Sequence, residues 1–365
     1  MKQHLNMGRK LRNPLPQTIV IVRALPGLGD LLCLVPALRA LRSNFPAAQI
    51  TLVGLPGATQ FVQRFHHYLD TWLEFPGYPG IPETSVHPGR IVTFLARIQQ
   101  LNVDFALQMH GNGICMNALT LLLGAKQSAG FFPMEHYCPD STSFMAYPEH
   151  EHEIWRHLRL LEFLGIPLQG SHLEFPIWQS EWQEFQALAQ AHNLSPGNYV
   201  CIHPGASISS RRWNIHDFAI VADRLAGQGF QIILTGTKAE TSLTQAVAQA
   251  MRFPAIDLAG KTNLGTIAAL LKESKLLICN DTGISHLAAA LGVKSVVVFS
   301  NSDPQRWAPL DRQRHRIVQV CPVECRQSEP DLLVADPTLF PSQSATTAVI
   351  TAAIDLLRQE FAYAS

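Results

Sequence analysis

The sequence predicts two doubly wound α/β domains in series. Three observations carry this: β-branched segments alternate with amphipathic ones in two separate runs, the character changes between residues 152 and 198, and polar, glycine-rich stretches fall where apolar strands end. With 365 residues and 47% apolar composition, the chain exceeds the usual size of one domain and can bury a large core.

The first strand is TIVIVRA (18–24), rich in β-branched residues and followed by a glycine-rich turn. A helix over 30–44 follows, with Leu31, Leu34, Val35, Leu38 and Leu41 at helical spacing. QITLVG (49–54) makes the second strand; helices at 57–67 and 90–101, strand 103–109, a helix at 113–123 and the short QSAGFF complete the first run. An amphipathic helix over 152–168 leads into a proline- and tryptophan-bearing connection reaching Asn198. The second run alternates strands 199–205, 230–236, AIDLAG, 275–281 and 295–300 with helices at 215–228, 238–251, 264–273 and 285–291. A last helix over 345–361 is expected to return to the first domain. The divisions are thus a basic tail 1–17, a first domain 18–178, a second domain 179–344 and the terminal helix 345–365.

Lysine plus arginine equals aspartate plus glutamate at 28 each, so no overall field draws in nucleic acid or an anionic membrane. The opening MKQHLNMGRKLRNPLPQ is basic without an apolar core region, and no run long enough to span a bilayer follows. A cytoplasmic protein is expected, at most in peripheral contact with the inner face of the plasma membrane. Seven cysteines, an odd number, do not make a disulfide framework; Cys321 and Cys325 in CPVEC lack a second ligand pair for zinc, and no metal site is expected.

Ligands of open parallel sheets bind beyond the carboxyl ends of the strands. Four stretches meet that condition: PGLGD (26–30), HPGASISSRRW (203–213), TGTKAE (235–240) and NDTGISH (280–286). PGLGD lacks the third glycine of a dinucleotide fingerprint, because Leu32 stands there, and QITLVG ends without the acid that would hold a ribose. Asp30 is either a helix cap or a carboxylate open to a ligand, with Gly29 allowing close approach. Asp281 and Thr282 divide in the same way between capping and contacting a ligand at the start of the helix after Gly283, where backbone N–H groups favour an anion. His286, taken alone, reads as a core histidine. Ser207 and the adjacent Arg211 and Arg212 offer hydroxyls and positive charge, with only one arginine able to face a given side of an extended segment.

Taken in order, GLGDLLCLVPALRALRSNFP, HPGASISSRRWNIHDFAIVADRL, LTGTKAE, AGKTNLGTIAALLKESKLLICNDTGISHLAAALGVKSVVVF and SDPQRWAPL resemble glycosyltransferase family 9, the heptosyltransferases of lipopolysaccharide core assembly. The resemblance implies the GT-B fold, two Rossmann-like domains facing each other. It also implies an inverting, metal-independent transfer from a nucleotide-sugar donor, ADP-linked, to a glycolipid or glycan acceptor, with no cofactor. It places the base on Asp30, the diphosphate contact on Arg211, the ribose carboxylate on Glu240, a nucleobase neighbour on Thr262 and the donor motif on Asp281, Thr282, Gly283 and His286. On the acceptor side it places Gly29 with His110 and Asn112, in a segment LQMHGNG that departs from the family's D-L-Q-G. Ser300, Asn301 and Ser302 replace the usual Gly-Pro-Thr. A sugar-nucleotide epimerase and a non-catalytic nucleotide-sugar-binding protein remain the alternatives on the same fold.

Overall fold

The computed structural model describes residues 15–320 and 345–359, which form two compact units, one ending at His172 and the other starting at Leu173. The composition of the sequence places this division six residues later, at 178. The basic residues 1–14 and the Cys321–Cys325 pair lie outside the described residues.

The first unit contains β1 (Thr18–Val22), α1 (Leu28–Leu32), α2 (Val35–Asn44), β2 (Gln49–Gly54), α3 (Ala58–Arg64), β3 (Thr71–Glu74), α4 (Pro88–Gln99), β4 (Phe105–Gln108), α5 (Met116–Leu122), β5 (Gln127–Phe132), β6 (Phe144–Ala146) and α6 (Glu153–Phe163). Its six parallel strands run in the order β3-β2-β1-β4-β5-β6. The single helix expected over 30–44 is two, because Pro36 has no N–H to donate and its ring clashes with the carbonyl four residues back. Val20, Val22, Ala106, Phe94, Ile98 and Leu119 pack α4 and α5 onto the sheet.

The second unit contains α7 (Gln179–Ala191), β7 (Tyr199–His203), α8 (Ile215–Ala226), β8 (Gln231–Leu234), α9 (Thr241–Ala250), β9 (Ala255–Asp257), α10 (Leu264–Lys272), β10 (Leu276–Asn280), α11 (Gly283–Leu291), β11 (Ser295–Phe299), α12 (Pro304–Trp307), β12 (His315–Gln319) and α13 (Ala345–Arg358). The order β12-β11-β10-β7-β8-β9 repeats the first unit's topology, all parallel. Helix α7 escapes a periodicity reading because it buries only Glu181 and Phe185 and docks instead through polar groups. Its Glu184 carboxylate accepts hydrogen bonds from Asn263 Nδ2, at 2.5 Å, and from Thr266 Oγ1 at the start of α10.

Helix α13 corrects the sequence expectation, for it packs into the core of the second unit. Val349, Ala353 and Leu356 make one apolar face, fully buried in the core with Phe218, Ala222, Val296 and Val318. Lys294 Nζ donates to the carbonyl oxygens of Leu356, at 2.7 Å, and Gln359, satisfying the helix end, and Thr346 Oγ1 donates to Asp217 at 2.6 Å. An apolar face with these matching polar ends selects the sheet that can bury it.

In both units the strand order reverses beside the first strand, between β1 and β4 and between β7 and β10. In the first unit that point is held by a buried ion cluster. Arg23, at the end of β1 and 1% exposed, donates to Asp30 O at 2.9 Å, to Met109 O at 2.7 Å and to Glu153 Oε1 at 3.1 Å. Arg156 donates to the other Glu153 oxygen, and His157 Nε2 lies 3.5 Å from Oε1. Burial pushes the Glu153 carboxyl up, but His157 and the two guanidiniums together hold it well below its ordinary value. Burial, with Arg23 adding to it, drives His157 down to about 4.

Replacing Glu153 by alanine removes the anion that two buried guanidiniums share and should cost about 3–5 kcal/mol in urea unfolding of the full chain. Because the folded carboxyl titrates lower than the unfolded one, its contribution is complete above about pH 4.5, the ordinary glutamate value, and fades as pH falls through the folded value. Wild type should therefore lose stability below that pH more steeply than Glu153→Gln.

Candidate active site

In the second unit, the loops leaving β7, β8, β10 and β11 meet at the carboxyl edge of the sheet. Cys279 pairs in register with His203 and Asn280 with Val298, so the chain leaves neighbouring strands at one level. Asn280 is fully buried: its Oδ1 accepts from Trp213 N at 2.9 Å, and its Nδ2 donates to Pro204 O at 2.8 Å. This amide ties the HPGASISSRRW segment to the end of β10. Spacing does not single out Asn280, since a buried asparagine has no signature apart from its partners.

Arg211 and Arg212 diverge. Arg211 Nη1 lies 3.5 Å from Asp281 Oδ2, with its side chain 29% exposed, whereas Arg212 Nε donates to Ala206 O at 2.8 Å. The first contact is long and half-open, so the guanidinium can turn to an incoming anion. Asp281 is 2% exposed; burial raises its carboxyl above the usual range, with Ser302 and Arg211 opposing. Asn301 Nδ2 donates to Ser210 Oγ at 3.3 Å, drawing the Ser300–Ser302 loop against the Ser209–Arg211 turn.

Thr282 is the N-cap of α11, extended at φ −158° and ψ 172°, and its hydroxyl makes no capping bond. Asp281 is no cap either. The first turn, starting at half-buried Gly283, therefore has N–H groups that no side-chain cap takes up, beside Arg211. His286, one turn on, is 3% exposed and meets Trp307 edge to face at 6.2 Å.

Glu240 closes the short turn Lys238–Glu240 that follows β8. Its carboxylate accepts from Thr237 N and Thr237 Oγ1, each at 2.8 Å, and stands 4.0 Å from His203 Nε2. Burial would raise it, but the Thr237 bonds, His203 and Arg212 bring it below the ordinary value, while burial lowers His203. A side chain at Gly205 would run into this carboxylate and push it aside. Ser207 is exposed on the loop and Thr262 half-buried just before Asn263, the N-cap of α10.

In the first unit Asp30 is the third residue of α1, whose N-cap is Gly27; it is not the cap. Its carboxylate folds back over Gly27, where any side chain would meet Oδ2, and Oδ1 lies 3.6 Å from Arg23 Nη2. The side chain keeps 24% exposure. Gly29 is buried within α1. Across the strand reversal, His110 Nδ1 accepts from Ala24 N at 3.2 Å, and Asn112 Oδ1 accepts from Ile114 N at 3.2 Å. Arg23 and Glu153 could not be found from spacing, because they lie 130 residues apart.

Among the described residues no helix is long and apolar enough to cross a membrane, and no cluster of three or more His, Cys, Asp or Glu is placed to hold a metal ion. The chain is 30% identical over 112 residues to lipooligosaccharide heptosyltransferase 2 of Haemophilus influenzae, a stretch covering 29% of this chain and only 32% of that protein. With the enzyme of the same name from Campylobacter jejuni it is 25% identical over 300 residues, 80% of this chain and 84% of the relative. The solved glycosyl transferase family 9 protein of Veillonella parvula superposes with a TM-score of 0.73 at 21% identity, covering 96% of this chain and 99% of that one. E. coli ADP-heptose lps heptosyltransferase II superposes with a TM-score of 0.67 at 18% identity, covering 93% and 98%. These two likenesses establish the shared fold. The family model of glycosyltransferase family 9 (heptosyltransferase) matches residues 92–331, more than half of the 365-residue chain, and the chain belongs to that family.

Proposed function

We propose that this glycosyltransferase moves a heptose or related sugar from an ADP-linked donor to a lipopolysaccharide-type glycan, with inversion and without a divalent cation. The observation that carries the reading is Arg211 standing beside the uncapped N-terminus of α11, next to the buried Asp281. A diphosphate placed there meets a guanidinium and aligned backbone N–H groups, the two means by which proteins hold such an anion. Both are present at this edge before the anion arrives, so they stabilise the charge growing on the departing diphosphate, the task a metal ion performs elsewhere. Asp281, with its carboxyl raised by burial, suits a neutral hydroxyl of the donor. Glu240, held below its ordinary value, suits a ribose diol. Ser207, Thr262 and His286 are assigned to the donor side. The names of the relatives support heptose as the sugar and lipooligosaccharide as the acceptor class. ADP-heptose is named for the E. coli structural neighbour.

Asp30 is the base. Its carboxylate takes the proton of an acceptor hydroxyl while that oxygen bonds to the anomeric carbon from the face opposite the diphosphate. The bond from that carbon to the diphosphate oxygen breaks, and the nucleoside diphosphate leaves with the electron pair. Arg23 holds the carboxylate from behind, through both the backbone oxygen and Oδ1 of Asp30. Gly29, His110 and Asn112 belong to the acceptor side. A cytoplasmic location, with at most peripheral membrane contact, fits a soluble donor and a glycolipid acceptor.

Changing Asp30 to Asn should lower kcat by about 100-fold or more and leave donor KM nearly unchanged. Near-normal turnover would remove Asp30 from the role. Arg211→Ala should weaken ADP binding by about 10- to 100-fold, read as the loss of most ADP-induced thermal stabilisation. In the wild type, ADP should stabilise more than GDP or UDP; equal shifts for all three would leave the adenine assignment without support.

A further inference from the structure

The loop joining β3 to α4 carries a carboxylate that the proposed chemistry has not used. Ile81, buried in the core of the first unit, anchors this loop, and Ile81 N donates to Tyr78 O at 3.0 Å. Two residues on, Glu83 places Oε1 4.0 Å from His110 Nε2, while its Oε2 is buried without a hydrogen-bond partner. His110 is held from two sides. Its Nδ1 accepts from Ala24 N, and its carbonyl oxygen accepts from Gln108 Nε2. With Nδ1 serving as acceptor, the ring proton of the neutral imidazole sits on Nε2, directed at Glu83. Burial, reinforced by Arg23, lowers His110 to about 4, so the neutral form prevails near neutral pH.

A separation of 4.0 Å is too long for a direct hydrogen bond. It is the distance left for one bridging oxygen: a hydroxyl about 2.9 Å from the ring nitrogen and about 2.7 Å from the carboxylate, at nearly a right angle, sets those atoms about 4 Å apart. Only a group that both accepts and donates can satisfy the two together. Water and a sugar hydroxyl qualify, and a phosphate or carboxylate would face Glu83 with like charge. The chain from Arg23 links this point to Asp30: the guanidinium binds Asp30 on one side and Met109 O, one residue before His110, on the other.

We propose that Glu83 and His110 form an acceptor-binding pair that takes one glycan hydroxyl between them, Nε2–H donating to it and Oε1 accepting from it. The inference rests on the glycosyl-transfer reading and adds Glu83 and a specified hydroxyl contact to it. The pair binds and orients the acceptor and does not exchange its proton.

The test uses the full-length enzyme, ADP-heptose and a core oligosaccharide released from the lipooligosaccharide of a heptosyltransferase-deficient bacterium. Glu83→Gln and His110→Ala should each raise acceptor KM by about tenfold or more, with kcat within about threefold and the ADP thermal shift unchanged. His110→Gln, which keeps an N–H donor, should recover most of that loss. Since both groups hold the same hydroxyl, the double variant should be little worse than either single one. Acceptor KM within about twofold of wild type in either variant, or losses that multiply in the double variant, would overturn the pair while leaving the transferase reading intact. Wild type that neither transfers to this glycan nor gains stability from ADP would overturn the underlying reading together with the pair.

Discussion

The side-chain amide of Asn280 is the joint on which the second unit's carboxyl edge depends. A parallel sheet delivers its strands to one level, but the loops that leave them are free to splay. Asn280 prevents this by accepting from Trp213 N and donating to Pro204 O, so both ends of the loop after β7 are fastened to the end of β10. Arg211 falls between those fastened points and is thereby brought to Asp281. Gly205, beside Pro204, comes close enough to Glu240 that a side chain there would displace the carboxylate. Satisfying one buried polar group thus sets the positions of three groups around it.

The two units solve opposite electrostatic problems on the same topology. The first must keep a carboxylate at its edge, and it does so by burying Arg23 behind Asp30 and balancing that charge with Glu153. Buried ions of this kind stabilise the fold poorly by themselves but fix a geometry, because any other arrangement leaves a charge unpaired. The second unit gathers positive potential instead, from an arginine half open to solvent and a helix start that no side chain caps. The proposed base suits the first environment and the proposed leaving diphosphate the second.

Capping was the point at which sequence reasoning divided evenly, for Asp30 and for Asp281 with Thr282. In both places the short polar residues stand where caps would be, and in neither does the carboxylate serve as one: Gly27 and Thr282 occupy the N-cap positions, without side-chain bonds. Caps are local and readable. A residue that declines to cap can be recognised only from the partner it takes instead, such as Arg23 or Arg211, and those partners are distant in the chain.

Sequence alone determined the two alternating runs, the strand ends where polar loops gather, and the family to which the motifs belong, because periodicity and turn chemistry act over a few residues. It missed α7, which docks by carboxylates, and the edge strands β3 and β12, whose half-exposed residues TWLE and HRIVQ make no apolar run. It also sent the last helix to the wrong unit: an apolar stripe tells that a helix must be covered, and only the folded core has a matching vacancy for Val349, Ala353 and Leu356. The pairings Arg23–Glu153, Asn280–Trp213 and Glu83–His110 belong to tertiary structure for the same reason. Burial gives each polar group a need for a partner, and the fold decides which partner is within reach.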